Sequence, residues 1–477
     1  MRFSEHFELP GNQAQYDFID VPLGTDIRVF IDPYAITITR TPWSQQCHQI
    51  VTDFFQKVLD ALRADDRAAA RALLCEMHED NRPRTGYSEG QPQGTAWGPE
   101  KADLFIDRLI SSEAFASGLI EDIQDGALFV DKIGRDTVSD AMVNILHEQL
   151  ALYTREQCEL FGVPLESREK MLTWRPGEGW VTIEVDLPIA HGESILLLPR
   201  SIVRKDLSLK PDRFLNDFLD EYVDRGNLSA TRALEEALQE KVPTRGKNDK
   251  KRTHRGKVRD KLKEKGTKKD VMARITRHFP DALKGFKERA RKNRPALTPY
   301  ELEELQGDRH SIDIANIVHE MRSAAENADD VWRAVVGVVG GLVAGFHPIL
   351  QHPQPVDGVK KGVAGIIMAN TATSGVFWQA RQVERGVTRP NLLVLTASKP
   401  IDDLLISEFG YEKMLTDADA GAALLVGPSL ASETRGRRAE LTKRGLMVAT
   451  IEEVADVVEM DAEPEVAAEV FAKLVEA

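Results

Sequence analysis

The chain has 477 residues and a net charge of −14, with 42% apolar and 29% charged residues. This length exceeds one ordinary hydrophobic core and predicts a globular protein of roughly two to four domains. Its three cysteines, Cys47, Cys75 and Cys158, are too few for a disulfide framework, so we expect a reducing, cytoplasmic location.

The apolar segments argue against membrane association. The first residues, MRFSEHFELPGNQ, lack the apolar run of a signal peptide. The longest apolar stretch, Ala334 to Phe346, has 13 residues, whereas a helix needs about 20 to cross a bilayer. We therefore predict a buried helix there, and no membrane partner.

The first 200 residues predict a mixture of short strands and helices. IRVFIDP (Ile27 to Pro33) is typical of a strand that ends in a turn. Apolar residues at helical spacing predict two helices, over Gln45 to Asp66 and over Ala68 to Met77. The Gly- and Pro-rich stretch from Asn81 to Glu100 predicts a loop.

Two further helices and a hairpin follow that loop. We expect the helices near Lys101–Ile110 and Asp136–Tyr153, with a capping box at Thr137–Asp140 in the second. Met171–Trp174 and Trp180–Val185 predict a β-hairpin, and Ser194 to Pro199 a further strand. Residues 1–205 are thus predicted to form an N-terminal mixed α/β domain.

Residues 206–298 are predicted to form a helical, strongly basic segment. Lys241 to Arg294 holds 22 Lys/Arg and 6 Asp/Glu, a net charge of +16, so the rest of the chain carries −30. This asymmetry favours contact with a polyanion, DNA or RNA. Two alternatives remain open: the basic helices dock on the acidic domains of the same chain, or their charges only keep the helices in solution.

The basic segment supplies the candidate nucleic-acid-binding residues. Between Lys241 and Arg294 the only aromatic residues are Phe279 and Phe286, so base stacking lacks its usual platforms. Phosphate contact without sequence readout is the better hypothesis. The candidates are Lys250, Lys251, Arg252, Arg255, Lys257, Arg259, Lys261, Lys263, Lys268 and Lys269.

Residues 299–477 are predicted to form a C-terminal α/β domain. A helix pair, Tyr300–Leu305 and Asp313–Phe346, precedes four short apolar runs at 363–370, 392–398, 422–428 and 446–451. Short apolar runs separated by helices predict a buried parallel or mixed sheet. The expected fold class is therefore α+β multidomain.

Several motifs in the first 200 residues resemble the N-terminal region of prokaryotic proteins that often occur near mobile elements and anti-phage loci. The motifs are FIDP (Phe30–Pro33), GYS (Gly86–Ser88), IGRDTVSD (Ile133–Asp140) with Asn144-Ile145, YTREQC (Tyr153–Cys158) and LLLPRSIV (Leu196–Val203). The resemblance implies no activity for this region. In many such proteins the C-terminal domain is similar to the restriction-endonuclease-like fold, PD-(D/E)xK.

That fold places an Asp on one strand and a Glu-x-Lys on the next, where they converge on Mg²⁺. In this chain the Asp position falls on Gly365, and the Glu and Lys positions fall on Leu395 and Ala397. The resemblance therefore implies a nuclease-like domain that is catalytically inactive and needs no cofactor. Weak candidates for relocated catalytic groups lie just beyond the second strand: Lys399, Asp402, Asp403 and Glu408.

These observations favour a non-catalytic nucleic-acid-binding or regulatory component of a prokaryotic defence or mobile-element system. The basic segment would contact DNA or RNA, and a protein from the same locus would be a further partner. The alternatives are an active nuclease that uses Mg²⁺ with relocated ligands, and an assembly factor that binds protein without nucleic acid.

Overall fold

The computed structural model describes residues 1–9, 13, 16–39, 42–86, 98–131, 133–247, 250–265, 268–292, 297, 299–306, 314–323, 346–355, 363–370, 391–397, 399–408, 410–417, 420–460, 470 and 473–474. In these residues the protein is a mixed α+β structure. Within this part of the chain, no helix is both long enough and apolar enough to cross a bilayer.

The first 205 residues contain helices and short strands, as predicted. The helices are α1 (Phe3–His6), α2 (Pro33–Thr39), α3 (Pro42–Arg63), α4 (Arg67–Cys75), α5 (Pro99–Ile110), α6 (Glu113–Ala116), α7 (Ile123–Phe129), α8 (Arg135–Ile145) and α9 (His147–Phe161). The strands are β1 (Phe30–Ile31), β2 (Ser167–Arg175), β3 (Gly179–Leu187), β4 (Ile189–Ala190), β5 (Glu193–Ser194) and β6 (Val203–Arg204). Strand β1 pairs with β6, which joins the two ends of this region.

The predicted hairpin is confirmed and is longer than its apolar pattern indicated. Strands β2 and β3 pair in antiparallel register, with Trp174 opposite Trp180. Gly177 in the connecting turn and Gly179 at the start of β3 have φ angles of 84° and 92°, which favour glycine. Trp174 is anchored because its Nε1 donates a hydrogen bond to Asp53 Oδ2 at 2.8 Å. The hairpin thus packs on α3 through paired aromatic residues.

Three local predictions in this region are wrong. The helix expected over Asp136–Tyr153 is two helices, α8 and α9, because the chain leaves helical geometry at Leu146. The capping box at Thr137–Asp140 is absent, since α8 already begins after Gly134, and Ser139 Oγ instead accepts a hydrogen bond from Ile31 N–H at 3.0 Å. Only Ser194 of the strand expected at Ser194–Pro199 is in a strand.

The central region is helical except for one hairpin. Its elements are α10 (Pro211–Phe218), a π-helical turn (Leu219–Val223), α11 (Leu228–Leu238), β7 (Thr244–Lys247), β8 (Lys250–Thr253), α12 (Arg255–Glu264), α13 (Lys268–His278), α14 (Asp281–Lys292), α15 (Pro299–Leu305) and α16 (Ile314–Ser323). The hairpin β7–β8 corrects the prediction of an entirely helical segment.

One apolar core runs from Phe3 to Leu302. Phe214 of α10 packs edge-on against Phe129 of α7 at 6.3 Å between ring centroids, and against Phe286 of α14 at 5.3 Å. A buried ion pair joins the two ends of this core. Nη1 and Nη2 of Arg2 each donate a hydrogen bond to the carboxylate of Glu303 at 2.7 Å. The core therefore continues across the boundary predicted at 205/206.

The C-terminal region contains the predicted sheet. Its elements are β9 (Phe346–Pro355), β10 (Val363–Asn370), β11 (Asn391–Ala397), α17 (Asp403–Glu408), α18 (Tyr411–Asp417), β12 (Ala420–Gly427), α19 (Ser432–Gly436), α20 (Arg438–Lys443), β13 (Leu446–Thr450) and α21 (Ile451–Glu459). The strand order is β13-β12-β11-β10-β9. The sheet is mixed, because β9, β10 and β11 run antiparallel while β11, β12 and β13 run parallel.

All four apolar runs of this region are strands, which confirms the prediction. Of the helix expected over Asp313–Phe346, residues 314–323 form α16, residues 324–345 lie outside the described residues, and Phe346 begins strand β9. Residues 87 and 88 of the GYS motif also lie outside the described residues.

A buried carboxyl group gives the fold a pH dependence. Asp17 is 4% exposed, and the Tyr153 hydroxyl donates a hydrogen bond to its Oδ2 at 3.1 Å. Burial raises the pKa of Asp17 to about 7, even though the nearby Arg200 guanidinium favours the charged form. The folded protein therefore retains a proton that the unfolded chain releases near its ordinary pKa of 3.8. The free energy of unfolding accordingly falls as the pH rises from about 4 to 7.

Replacing Asp17→Asn removes this titration while leaving an amide oxygen to accept from Tyr153. Between pH 5 and 7 we expect the unfolding free energy of the variant to fall less steeply with pH than that of the wild type. The two slopes should differ by up to ~1.4 kcal/mol per pH unit. Denaturant titrations at several pH values in this range measure the difference. The exposed Asp186→Asn is the matched control and should retain the wild-type slope. Parallel profiles for Asp17→Asn and wild type would contradict the assignment.

Candidate nucleic-acid interface

The hairpin β7–β8 places like charges opposite each other. Its register pairs Arg245 with Arg252, Gly246 with Lys251 and Lys247 with Lys250. Since alternate residues of a strand share a face, the four basic positions of the outer pairs lie on one face of the hairpin. Like charges directly opposite on paired strands are destabilising. The hairpin therefore concentrates positive charge at a site where its own pairing does not neutralise it.

The base of the hairpin is fixed to the body of the protein. Thr253 is 4% exposed, and its N–H donates to Asp224 Oδ1 at 2.9 Å. The N–H of His254 donates to the carbonyl oxygen of Pro243 at 2.7 Å. Thr244 and Arg245, by contrast, are exposed. The base of the hairpin is therefore anchored, and its first strand begins with exposed residues.

Helix α12 follows the hairpin directly and adds exposed cations. Its apolar side is buried, with Val258 and Leu262 at 0% and 1% exposure. Lys257, Arg259 and Lys263 are exposed. Arg259 Nη2 donates to Asn216 Oδ1 at 2.8 Å, and this amide leaves the guanidinium charge uncancelled. Lys257, Arg259 and Lys263 therefore remain available to an anion.

Three of the predicted cations are instead paired with acidic residues of the same chain. Arg255 forms ion pairs with Asp220 and, at 3.6 Å, with Asp224. Lys261 pairs with Glu240, and Lys268 with Asp212. All four carboxylates lie on or beside α10 and α11, so the structure shows that part of the basic segment docks on acidic helices. Such half-exposed ion pairs contribute little stability and exchange readily.

Lys269 is a structural residue. Its Nζ donates to the carbonyl oxygens of Ala127, Val130 and Ile133, at 2.7, 2.6 and 3.3 Å. These carbonyls lie at and just beyond the C-terminus of α7, where the helix dipole favours a cation. Burial lowers the pKa of Lys269 to about 8. Its ammonium group therefore caps a helix.

Lys269→Met keeps the aliphatic stem but leaves three carbonyls without their donor. We expect it to lower the free energy of unfolding by about 2–3 kcal/mol. The exposed Lys263→Met should change stability by less than about 0.5 kcal/mol. Denaturant titration compares the two. Equal stability of Lys269→Met and wild type would show that Lys269 does not cap α7.

The side chains of Lys247, Lys250, Lys251 and Arg252 lie outside the described part of the chain, and only their backbone positions in β7 and β8 enter the argument. Sequence reasoning missed Arg245 and Lys247. The signal was present, because TRGK and KKRT flank Asn248-Asp249, a dipeptide typical of turns. A hairpin would have placed all five cations of these strands together.

In the C-terminal sheet, the positions implied for metal ligands are adjacent. Gly365 of β10 lies directly opposite Leu395 of β11. Leu395 and Ala397 are 0% and 1% exposed, and they pack in an apolar cluster with Ile406 and Leu425. No carboxylate is present at these three positions, and the surroundings of Leu395 and Ala397 are apolar.

The weak catalytic candidates have structural contacts of their own. Asp402 Oδ1 accepts a hydrogen bond from Leu405 N–H at 2.7 Å and so caps α17. Asp403 accepts from Arg437 at 2.7 Å and from the Thr434 hydroxyl at 3.1 Å. Lys399 and Glu408 are exposed at either end of this segment. Among the described residues, no group of three His, Cys, Asp or Glu side chains is placed to hold a metal ion.

The capping role of Asp402 can be tested separately from a role in metal binding. Asp402→Ala should lower the free energy of unfolding by about 1 kcal/mol, whereas Asp402→Asn should retain stability, because asparagine also caps helices. Neither variant should alter plasmid integrity in Mg²⁺ or Mn²⁺. Plasmid cleavage by the wild type that is abolished in the equally stable Asp402→Asn would instead establish a relocated metal site.

Comparison with known proteins finds one family model that matches part of the chain. Residues 8–210 match the family model described as a domain of unknown function, DUF8370. The match covers somewhat less than half of the chain and includes the β1–β6 pair and the β2–β3 hairpin. Neither curated proteins nor solved structures give a significant match to the chain. The hairpin β7–β8 and the C-terminal sheet lie outside the matched residues.

Proposed function

We propose that the protein is a non-catalytic nucleic-acid-binding component of a prokaryotic defence or mobile-element system, and that it acts in the cytoplasm. The hairpin β7–β8 is the observation that carries this proposal. Its register places two pairs of like charges opposite each other, an arrangement that binding of a polyanion would stabilise. The exposed cations of α12 extend the same basic surface from the base of the hairpin.

The distribution of the ion pairs supports the hairpin as the principal contact. Lys261, Lys268 and Arg255 are already partnered by carboxylates, and Lys269 by carbonyl oxygens. The candidate contact residues that remain are the cations of the hairpin together with Lys257, Arg259 and Lys263. Nucleic-acid binding is then a property of the hairpin and of the exposed face of α12, while the ion-paired residues hold the segment in place.

For the C-terminal domain, we propose a restriction-endonuclease-like fold without its metal site. Support comes from the adjacent antiparallel strands β10 and β11, in which Gly365 and Leu395 are directly paired. The apolar cluster around Leu395 and Ala397 supports the inactive form. Such a domain would serve as a clamp or as a platform for a protein from the same locus.

A second candidate, an assembly factor, is favoured by the ion pairs between α10–α11 and α12–α13. They show that the basic helices can bind a carboxylate-bearing surface. In that case the hairpin would bind an acidic protein. Binding that survives nuclease treatment of both components would favour this candidate.

The salt dependence of binding tests the proposed function. A hairpin variant carries Arg245→Ala, Lys247→Ala, Lys250→Ala and Arg252→Ala. For duplex DNA, each lost phosphate contact lowers the slope of log K against log[salt] by about 0.9, so we expect the magnitude of the slope to fall by about 3 to 4. Fluorescence anisotropy from about 50 to 200 mM salt measures this slope.

A control variant removes the same number of charges elsewhere. Lys57, Arg155, Arg168 and Lys170 are exposed on α3, α9 and β2. Their replacement by alanine should leave both affinity and slope close to wild type. Wild-type protein that does not bind at about 50 mM salt, or binds with an affinity indifferent to salt, would refute phosphate contact. Equal losses in the two variants would locate the contact outside the hairpin.

A further inference from the structure

We infer that carboxylates on and beside α10 and α11 form an autoinhibitory surface, which occupies cations of the basic segment until a nucleic acid displaces it. The acidic surface consists of Asp212, Asp220 and Glu240. This inference rests on the proposed function and adds a regulation of the same basic surface. It depends on ion pairs between described side chains, on their spacing along two helices and on their exposure.

The chain changes the sign of its charge where the basic segment begins. Residues 211–240 hold 8 Asp/Glu and 3 Arg, a net charge of −5, whereas residues 241–294 carry +16. In the fold these two stretches contact each other through ion pairs. Each residue of the acidic surface pairs with one cation of the basic segment: Asp212 with Lys268, Asp220 with Arg255, and Glu240 with Lys261.

Helices α10 and α12 meet in antiparallel order at regular intervals. Arg255, the first residue of α12, contacts Asp220. Arg259, four residues later, donates to Asn216, four residues before Asp220. Four residues advance a helix by about 6 Å, so the contacts follow one another at that spacing. Asn216 differs from the acidic surface because its amide accepts the hydrogen bond without neutralising the guanidinium charge.

The acidic surface is exposed enough for another anion to replace it. The side chains of Asp212, Asp220 and Glu240 are 71%, 48% and 41% exposed. Helix α12 is held separately by its buried Val258 and Leu262. Ion pairs at such exposure contribute little to stability, and a phosphate offers the same kind of charged acceptor oxygens. A nucleic acid can therefore compete for these cations while α12 stays packed.

Neutralising the acidic surface should strengthen nucleic-acid binding. The open variant carries Asp212→Asn, Asp220→Asn and Glu240→Gln, which keep the size of each side chain. We expect it to bind at least about tenfold more tightly than wild type at about 50 mM salt. Its slope of log K against log[salt] should be steeper by up to about 3, or about 0.9 for each released cation. Fluorescence anisotropy with labelled duplex DNA and with single-stranded RNA of the same sequence measures both quantities.

Adding a carboxylate at Asn216 should have the opposite effect. Asn216→Asp places a negative charge against Arg259, and we expect it to weaken binding at least about threefold. Asn216→Ala removes the amide without adding charge and should bind as wild type does. Because the open variant and Asn216→Asp shift affinity in opposite directions, damage to the fold cannot produce the pair of results.

A control variant removes three carboxylates outside this surface. Asp107→Asn, Glu178→Gln and Glu184→Gln break ion pairs with Arg67, Arg175 and Lys170. The control changes the net charge by the same amount as the open variant. Because salt screens distant exposed charges, its affinity should stay within about twofold of wild type.

The outcomes separate this inference from the proposed function. Equal gains in the open and control variants would show an effect of net charge alone and would overturn autoinhibition. Wild-type affinity in the open variant, or equal losses in Asn216→Asp and Asn216→Ala, would overturn it as well. In each of these cases, salt-dependent binding by the wild type would leave the proposed function standing. Absence of binding by the wild type and by every variant would overturn both.

Discussion

The docking of helix α13 determines where the basic segment lies. Val271, Met272 and Ile275 of this helix are completely buried among α6, α7, α10 and α11. At the same helix, the Lys269 ammonium group reaches the carbonyl oxygens that end α7. A strongly basic chain thereby becomes part of an apolar core. Helix α12 and the base of the hairpin, which precede α13 in sequence, are held in addition by the buried Val258 and Leu262 and by the hydrogen bond from Thr253 to Asp224.

The cations of the segment fall into three structural roles. One ammonium group satisfies buried carbonyls, several side chains pair with carboxylates on or beside α6, α7, α10 and α11, and others, among them Lys257, Arg259, Lys263 and Arg277, are exposed. The net charge of +16 therefore overstates the charge that a ligand would meet. The paired carboxylates lower the positive potential around Arg255, Lys261 and Lys268. The positively charged surface that a ligand meets is set by the folded structure and not by the net charge of the sequence.

Much of the fold could be predicted from the sequence, because apolar periodicity reports burial. The helix α3, the β2–β3 hairpin and four of the five strands of the C-terminal sheet, β10 to β13, all follow from that pattern. The hairpin β7–β8 did not, because arginine and lysine dominate both strands and leave no apolar alternation to detect. The roles of Lys269 and Asp402 depend on carbonyl and N–H groups of other segments, which composition does not reveal. The stretch from Ile195 to Leu198 is apolar and buried like a strand, yet its N–H groups bond to Pro188, Arg82 and Thr154.

The packing of Leu395 and Ala397 restricts how the C-terminal sheet can change. Both side chains lie in an apolar layer with Ile406 and Leu425. A carboxylate introduced at either position would be buried without a counter-charge, and it would take up a proton before it could attract a cation. A metal ion would be accommodated only if the helix that carries Ile406 withdrew at the same time. Single substitutions that keep the fold stable are therefore not expected to create a metal site between β10 and β11.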